Sequence, residues 1–337
     1  MSAYIVAEIG VNHNGEVDKA IELINQAKIC GCDAVKFQSF TAEKLVDPSA
    51  KKVNYQIRSG NKEETHYEMI RKLEFNGKKL EKAISFAEKI KIDFITTPYD
   101  IDSMKEAYKS GVRIFKTASA DLCDVYLHNY LSSIKNIQII IATGMSNIKR
   151  IKYTLDKYTN KNIKPIILHC VSDYPCSDNA LNLYALDLLK EKFPQNRIGF
   201  SDHSIGLTAS IISAARGFDF FERHFTLNKE DNGPDHYASS DVDEMKNYVS
   251  EIRRVKTILG NKIKNIQEEE KGMSLRSKKA IKSLTKIMKG EKISLENTFP
   301  LRPAENGISV DEIENILGKK VKCDIEKNKF IQFEDLQ

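Results

Sequence analysis

From residue 1 to about 265, short β-rich runs alternate with longer amphipathic segments. The β-rich runs are Tyr4–Ile9, Ala34–Phe40, Asp93–Thr97, Ile114–Thr117, Ile137–Ala142, Pro165–His169, Arg197–Phe200 and Phe218–Glu222. Each precedes a stretch of helical periodicity. In Glu16–Ile29 the apolar Val17, Ala20, Ile21, Ile24 and Ala27 fall on one helix face. Eight βα units over roughly 250 residues predict an α/β fold, a (β/α)8 TIM barrel. The alternative is a doubly wound open sheet. It would usually have fewer strands and a glycine-rich phosphate loop after the first one. Gly10-Val-Asn-His-Asn-Gly15 is not that fingerprint.

Beyond residue 265 the pattern changes. Gln267-Glu-Glu-Glu-Lys271 reads as the tail of a helix running into a linker. Short apolar pieces then follow (Ser283–Ile287, Thr298–Leu301, Lys320–Cys323, Phe330–Gln332), broken by Lys289-Gly290-Glu291 and Glu305-Asn306-Gly307. The expected domains are a catalytic barrel over 1–265, a linker over 266–277 and a small β-rich domain over 278–337. A domain that small has a thin core and gains stability by docking.

Composition narrows the class. The 337 residues are 41% hydrophobic and 29% charged, as in a soluble globular protein, and the length suggests about two domains. No apolar run approaches the roughly 18 residues of a membrane helix. Glu8 interrupts the only apolar start, so no signal peptide is expected. Six scattered cysteines, with no C-x-x-C pair, are expected to be reduced thiols in a cytoplasmic protein. The net charge of +5 comes from intermixed Lys and Glu, not from a basic stripe, which excludes a nucleic-acid binder and suits a small anionic substrate.

In a TIM barrel the active site lies at the C-terminal ends of the strands. Glu8 ends the first. The second carries Lys36 and Gln38 on one face, and the third ends in Thr96-Thr97-Pro98. The fourth gives Lys116, then Ser119 and Asp121, and the fifth Thr143-Gly144-Met145. The sixth ends in His169, followed by Ser172 and Tyr174-Pro175, the seventh in Ser201-Asp202-His203 and the eighth in Glu222-Arg223-His224. Any one of these has a bland explanation, as a surface charge or a hydrogen-bonded structural group. Converging together they call for a bound anion or metal. His203 and His224, 21 residues apart, would meet only across adjacent strands. Two neutral imidazoles with water and carboxylate oxygens suit a divalent ion with open positions. Asn232-Gly-Pro-Asp-His236 reads as a rigid turn with Asp235 at its tip.

These residues resemble the sialic acid synthase family. The match lies in Ala7–Gly15, Val35-Lys-Phe-Gln38, Thr97-Pro98, Phe115-Lys-Thr-Ala-Ser119 and Thr143-Gly-Met145. It continues in Leu168-His-Cys170 with Tyr174-Pro175, Gly199-Phe-Ser-Asp-His203, Glu222-Arg-His-Phe-Thr226 and Gly233-Pro-Asp-His236. Leu301-Arg-Pro303, Asn306-Gly-Ile-Ser309 and Ile316-Leu-Gly-Lys319 are similar to the family's antifreeze-like (SAF) domain. The resemblance spans essentially the whole chain, in order.

It implies a synthase that condenses phosphoenolpyruvate with an N-acetylated amino sugar. Lys36, Lys116, Thr97, Ser119 and Ser201 would hold the phosphate and carboxylate, through charge-assisted contacts. His203 and His224 would bind the metal, with Mn2+ expected and Mg2+ or Co2+ as alternatives. Glu8 and Asp121 would handle protons. Gln38, Ser172, Tyr174 and Asp235 would line the substrate site, and Arg302 would reach the partner subunit's barrel in a domain-swapped homodimer. Three positions depart from common family choices: Asp121 for Glu, Ala142 for Ser, and Ser172 for Asn. The first acceptor expected is N-acetylmannosamine, giving N-acetylneuraminate; the alternative is 2,4-diacetamido-2,4,6-trideoxymannose, giving N,N'-diacetyllegionaminate. Lys51-Lys-Val-Asn-Tyr-Gln56 resembles both of those branches more than the pseudaminate branch. More distant readings are another phosphoenolpyruvate-condensing or aldolase barrel, for which the tail domain is unneeded, and a sugar- or surface-binding protein.

Overall fold

The strand-forming runs of the first 225 residues all pair in parallel, each with the next, and the last pairs back onto the first. The computed structural model describes residues 3–52, 64–159 and 161–337; most of the Lys51–Gln56 stretch lies outside them. The strands are β1 (Tyr4–Gly10), β2 (Ala34–Ser39), β3 (Asp93–Pro98), β4 (Ile114–Thr117), β5 (Gln138–Ala142), β6 (Ile166–His169), β7 (Ile198–Asp202) and β8 (Phe220–His224). This is the closed TIM barrel that the hydrophobic pattern predicts, and the doubly wound sheet is excluded. The helix Val17–Ile29 buries Ala20, Leu23, Ile24 and Ala27 against the sheet. β7 and β8 run two residues beyond their predicted ends. Their last residues are polar and lie beyond the β-rich runs, yet they stay in register, Ser201 opposite Glu222 and Asp202 opposite Arg223.

The barrel interior is built in layers. Its lower layer is apolar, from Val6, Ala34, Ile95, Ile140, Leu168 and Phe220, with Ile114 packed against it. Successive strand residues point to opposite faces, so the residue two further on shares the inward face. That rule places Glu8, Lys36, Thr97, Lys116, Cys170 and Glu222 one layer above the apolar floor, towards the C-terminal mouth.

The chain divides into two units, Met1–Gly260 and Asn261–Gln337. In the second unit, Gln267 caps the start of a helix, Glu268–Ser277, instead of lying in a helix tail. The correction has a local cause. Glu268, Glu269 and Glu270 sit in the first turn, where the helix dipole favours acids. β9 (Ala280–Ser283) pairs antiparallel with β10 (Thr298–Leu301). Ile281, Ile287, Ile293, Ile308, Ile316, Val321, Ile325, Ile331 and Leu336 form the core of this unit. The six cysteines are unpaired by disulfides. Among the described residues, no helix is long and apolar enough to cross a membrane.

Candidate active site

Above the apolar floor lies a layer of buried charge. Lys36 Nζ sits 2.7 Å from Glu8 Oε2, 3.7 Å from Glu222 Oε1 and 3.2 Å from Thr97 Oγ1. Lys116 Nζ sits 2.9 Å from Glu222 Oε1, which also accepts a hydrogen bond from Ser201 Oγ at 3.0 Å. Burial alone would raise the Glu222 carboxyl, but Lys116 and Lys36 outweigh it and hold the group at about 2. Burial also pushes Glu8 up. Lys36 pulls it back only in part, and the Glu222 charge adds to the rise. Lys116 would be lowered by burial, but the Glu222 charge reverses this and leaves it raised. Charges this deep persist only when paired.

Over this layer opens a cavity of about 770 Å³. Its lining includes the expected Glu8, Lys36, Gln38, Thr97, Lys116, Ser119, Ser172, Tyr174, His203, His224 and Asp235. Three expected residues are not in that lining. Ser201 lies beneath it, buried, hydrogen-bonded to Glu222. Asp121 sits in the short turn Ser119–Asp121, where burial and the Asp124 charge push its carboxyl up to about 6. Arg302 is an exposed residue of the second unit.

Backbone geometry at β5 shapes one wall. Gly144 N–H donates to Ser119 Oγ at 3.1 Å and to Cys170 Sγ at 3.2 Å. A Cβ at Gly144 would lie 2.8 Å from Ser119 Oγ and closer still to Ser172 Oγ, so any side chain there displaces both hydroxyls. On the opposite side, a Cβ at Gly10 would lie 3.3 Å from each of Glu8 Oε1, Gln38 Nε2 and Asp235 Oδ2. Burial and the Glu8 charge push the Asp235 carboxyl up to about 7.

The two strand-end histidines face each other with ring centroids 5.6 Å apart, and the Tyr174 ring stands against both. His203 Nδ1–H donates to Val171 O at 2.6 Å, which leaves Nε2 as the ring's lone pair, 3.3 Å from Ser201 Oγ. Burial lowers His203 to about 4, and burial with the His203 and Lys36 charges takes His224 well below the usual imidazole range. Both rings are therefore neutral at pH 7, the form that ligates metals. His224 Nδ1 is buried without a hydrogen bond, 3.9 Å from Asp235 Oδ2. Among the described residues no group of three or more His, Cys, Asp or Glu side chains is arranged to hold an ion. The pair fits an ion whose other positions are filled by water or substrate. Ser172 Oγ and Glu222 Oε2 are two further buried polar atoms of this cavity without a hydrogen bond. Orphaned polar groups clustered in one cavity mark a place where a polar ligand belongs.

Residues 23–264 match the NeuB family, and residues 280–337 match the SAF domain. The chain belongs to the NeuB family. It is an enzyme of the sialic and legionaminic acid synthase kind. An N,N'-diacetyllegionaminic acid synthase of Campylobacter jejuni is 37% identical over 94% of this chain and 94% of its own length. One of Legionella pneumophila is 34% identical over 100% of this chain and 95% of its own. The solved structure of an N-acetylneuraminic acid (sialic acid) synthetase from Leptospira borgpetersenii, in complex with citrate, is 29% identical with a TM-score of 0.70. It covers 81% of this chain and 90% of that one.

Glu222 is the member of this NeuB-family site that reading the sequence missed. It stood at a predicted strand end but was given no role. The signal was present: it lies two residues before His224 on the same strand, hence on the same face. Two inward lysines also require a second acid beside Glu8.

Proposed function

We propose that this chain condenses phosphoenolpyruvate with the aldehyde of an N-acetylated amino sugar, with C–O cleavage and release of phosphate. The observation that carries this reading is the buried layer of two lysines facing two glutamates beneath two neutral histidines. Lys36 and Lys116 neutralise the phosphate and carboxylate, with Thr97 and Ser119 donating beside them. A divalent ion, Mn2+ in this reading with Mg2+ or Co2+ able to replace it, would be held by His203 and His224 and would polarise the acceptor carbonyl as a Lewis acid. C3 of the enolpyruvate forms the new bond to the aldehyde carbon, water adds at C2, and the C2–O bond to phosphate breaks. Glu8, raised above the usual carboxylate range beside Gln38, is the proton-handling group on the acceptor side. Glu222, held ionised, stabilises positive charge at C2. Asp121 does not line the cavity, so these two glutamates take the roles first expected of Glu8 and Asp121.

For the acceptor, the relatives change the order expected from sequence. The two named for N,N'-diacetyllegionaminic acid, at 34% and 37% identity, favour 2,4-diacetamido-2,4,6-trideoxymannose. An apolar wall of Val11, Leu45, Val46, Ile70 and Leu73 lines the same cavity and suits a C6 methyl better than a hydroxymethyl group. N-acetylmannosamine is the second reading, supported by the likeness to the Leptospira structure. The homodimer with Arg302 reaching the partner's acceptor belongs to this proposal; sedimentation of the intact chain as a monomer would remove it.

The test is phosphate release from phosphoenolpyruvate with Mn2+ and each sugar in turn. Faster release with the trideoxy sugar supports the legionaminate reading, and faster release with N-acetylmannosamine replaces it by the neuraminate one. No release with either overturns the assignment.

A further inference from the structure

The stretch Asn12-His13-Asn14 supplies no group to the chemistry above, yet two of its residues are deeply buried and the third is half-buried. Asn12 and His13 are fully enclosed, and the His13 ring packs against Phe37 and Phe75. Both asparagines lie in the turn after β1, and their side chains reach the loop after β8. Asn12 Nδ2 donates to Phe225 O and to Ser239 Oγ, each at 2.9 Å. Ser239 Oγ in turn donates to Asp235 O at 2.7 Å. Asn14 Nδ2 donates to Asn232 O at 2.9 Å, which fixes the amide orientation and leaves Oδ1 as an acceptor. His236 Nε2 lies 3.3 Å from that Oδ1, so Nε2 carries the proton. His236 Nδ1 then accepts from Thr226 Oγ1 at 2.7 Å. Lys19, one turn into the first helix, closes the set with Asp231 at 2.6 Å.

The loop 231–239 is thus tied along its length to residues 12–19. Pro234 and Asp235 of this loop line the cavity, and Asp235 is the polar one, standing with Glu8 and Gln38 around Gly10. The tether is rigid for a further reason: a Cβ at Gly233 would lie 2.7 Å from the His236 ring, so the loop sits flush on that imidazole.

We infer that Asn12 and Asn14 are positioning residues, which set the affinity for the acceptor sugar by holding the Asp235 loop and leave the enolpyruvate site untouched. The inference rests on the reading above that Asp235 faces the acceptor. Lys36 and Lys116 stand on β2 and β4 and Ser119 in the turn after β4, and none of them receives a bond from this tether.

Two variants test it. Asn14→Gly removes the side chain and keeps the positive φ of 51° that Asn14 adopts. Ser239→Ala removes the link between Asn12 and Asp235. Ser239→Ala is expected to raise the acceptor KM about tenfold, the cost of a lost buried hydrogen bond, and Asn14→Gly, whose bond to Asn232 O is exposed, about threefold. The phosphoenolpyruvate KM should stay within about twofold. In parallel, amide exchange over 229–239 should accelerate while β2 and β4 keep their protection. Equal rises in both KM values, or unchanged values in both variants, overturn the inference. If the unaltered protein releases no phosphate with either sugar, the functional reading falls by itself. Exchange then decides the tether: unchanged protection of 229–239 in both variants refutes it, and acceleration confined to that loop upholds its structural half.

Discussion

Asp121 carries a buried oxygen, Oδ2, that finds no hydrogen bond, and its carboxyl is pushed up to about 6 by burial and by Asp124. An acid raised in the folded state binds more protons folded than unfolded between its two pKa values. Its contribution therefore weakens stability progressively as pH rises from about 4 to about 6, and the deficit is constant above that. Asp121→Asn should stabilise the protein by on the order of 1–2 kcal/mol at pH 8, after allowing for partial exposure, and by almost nothing near pH 3.5. Thermal melts at the two pH values check this; equal shifts at both would show that Asp121 is not raised. The resemblance pointed to Asp121, with Glu8, as a proton handler. The turn Ser119–Asp121 instead leaves it out of the cavity lining, while Glu222 stands at the centre of the charge. A turn is set by local backbone geometry that spacing alone does not carry.

At the scale of elements, the two-residue strand period accounts for nearly all the polar layer. Val6 leads to Glu8, Ala34 to Lys36, Ile114 to Lys116 and Phe220 to Glu222 on one inward face. This is why the barrel and most of the cavity lining were legible in the chain. The extra length of β7 and β8 was not, because Ser201-Asp202 and Arg223-His224 are polar and fall outside the β-rich runs. Asp202 and Arg223 form an outward ion pair at 3.0 Å, further tied by Ser204, Ser210 and Ser240, and this pairing sustains the strands. The strands must also lie close together there. A Cβ at Gly199 would come 2.5 Å from Phe220 O and 2.8 Å from Leu168 Cδ2. Gly199→Ala forces β7 off both neighbours. It should cost about 2–4 kcal/mol, read as a lower midpoint in denaturant at unchanged slope; a loss below about 0.5 kcal/mol would mean that the barrel yields there freely.

At the scale of the molecule, each unit has an apolar core of its own. The second relies on nine aliphatic residues, so losing one matters more than in the barrel. Ile331→Ala should destabilise that unit by about 2–5 kcal/mol and split calorimetric unfolding into an early minor and a late major transition. A single transition shifted as a whole would show that the two units unfold together. The ties from Asn12 and Asn14 to residues 225–239 span more than two hundred positions. Contacts so distant along the chain form only after the intervening loop entropy has been lost. The cavity wall that carries Asp235 therefore does not exist in any partly folded barrel that still lacks its eighth strand. On the proposed function, competence to take up the sugar would arrive with ring closure, and a nascent chain that already holds Lys36 and Lys116 would lack the loop that carries Asp235.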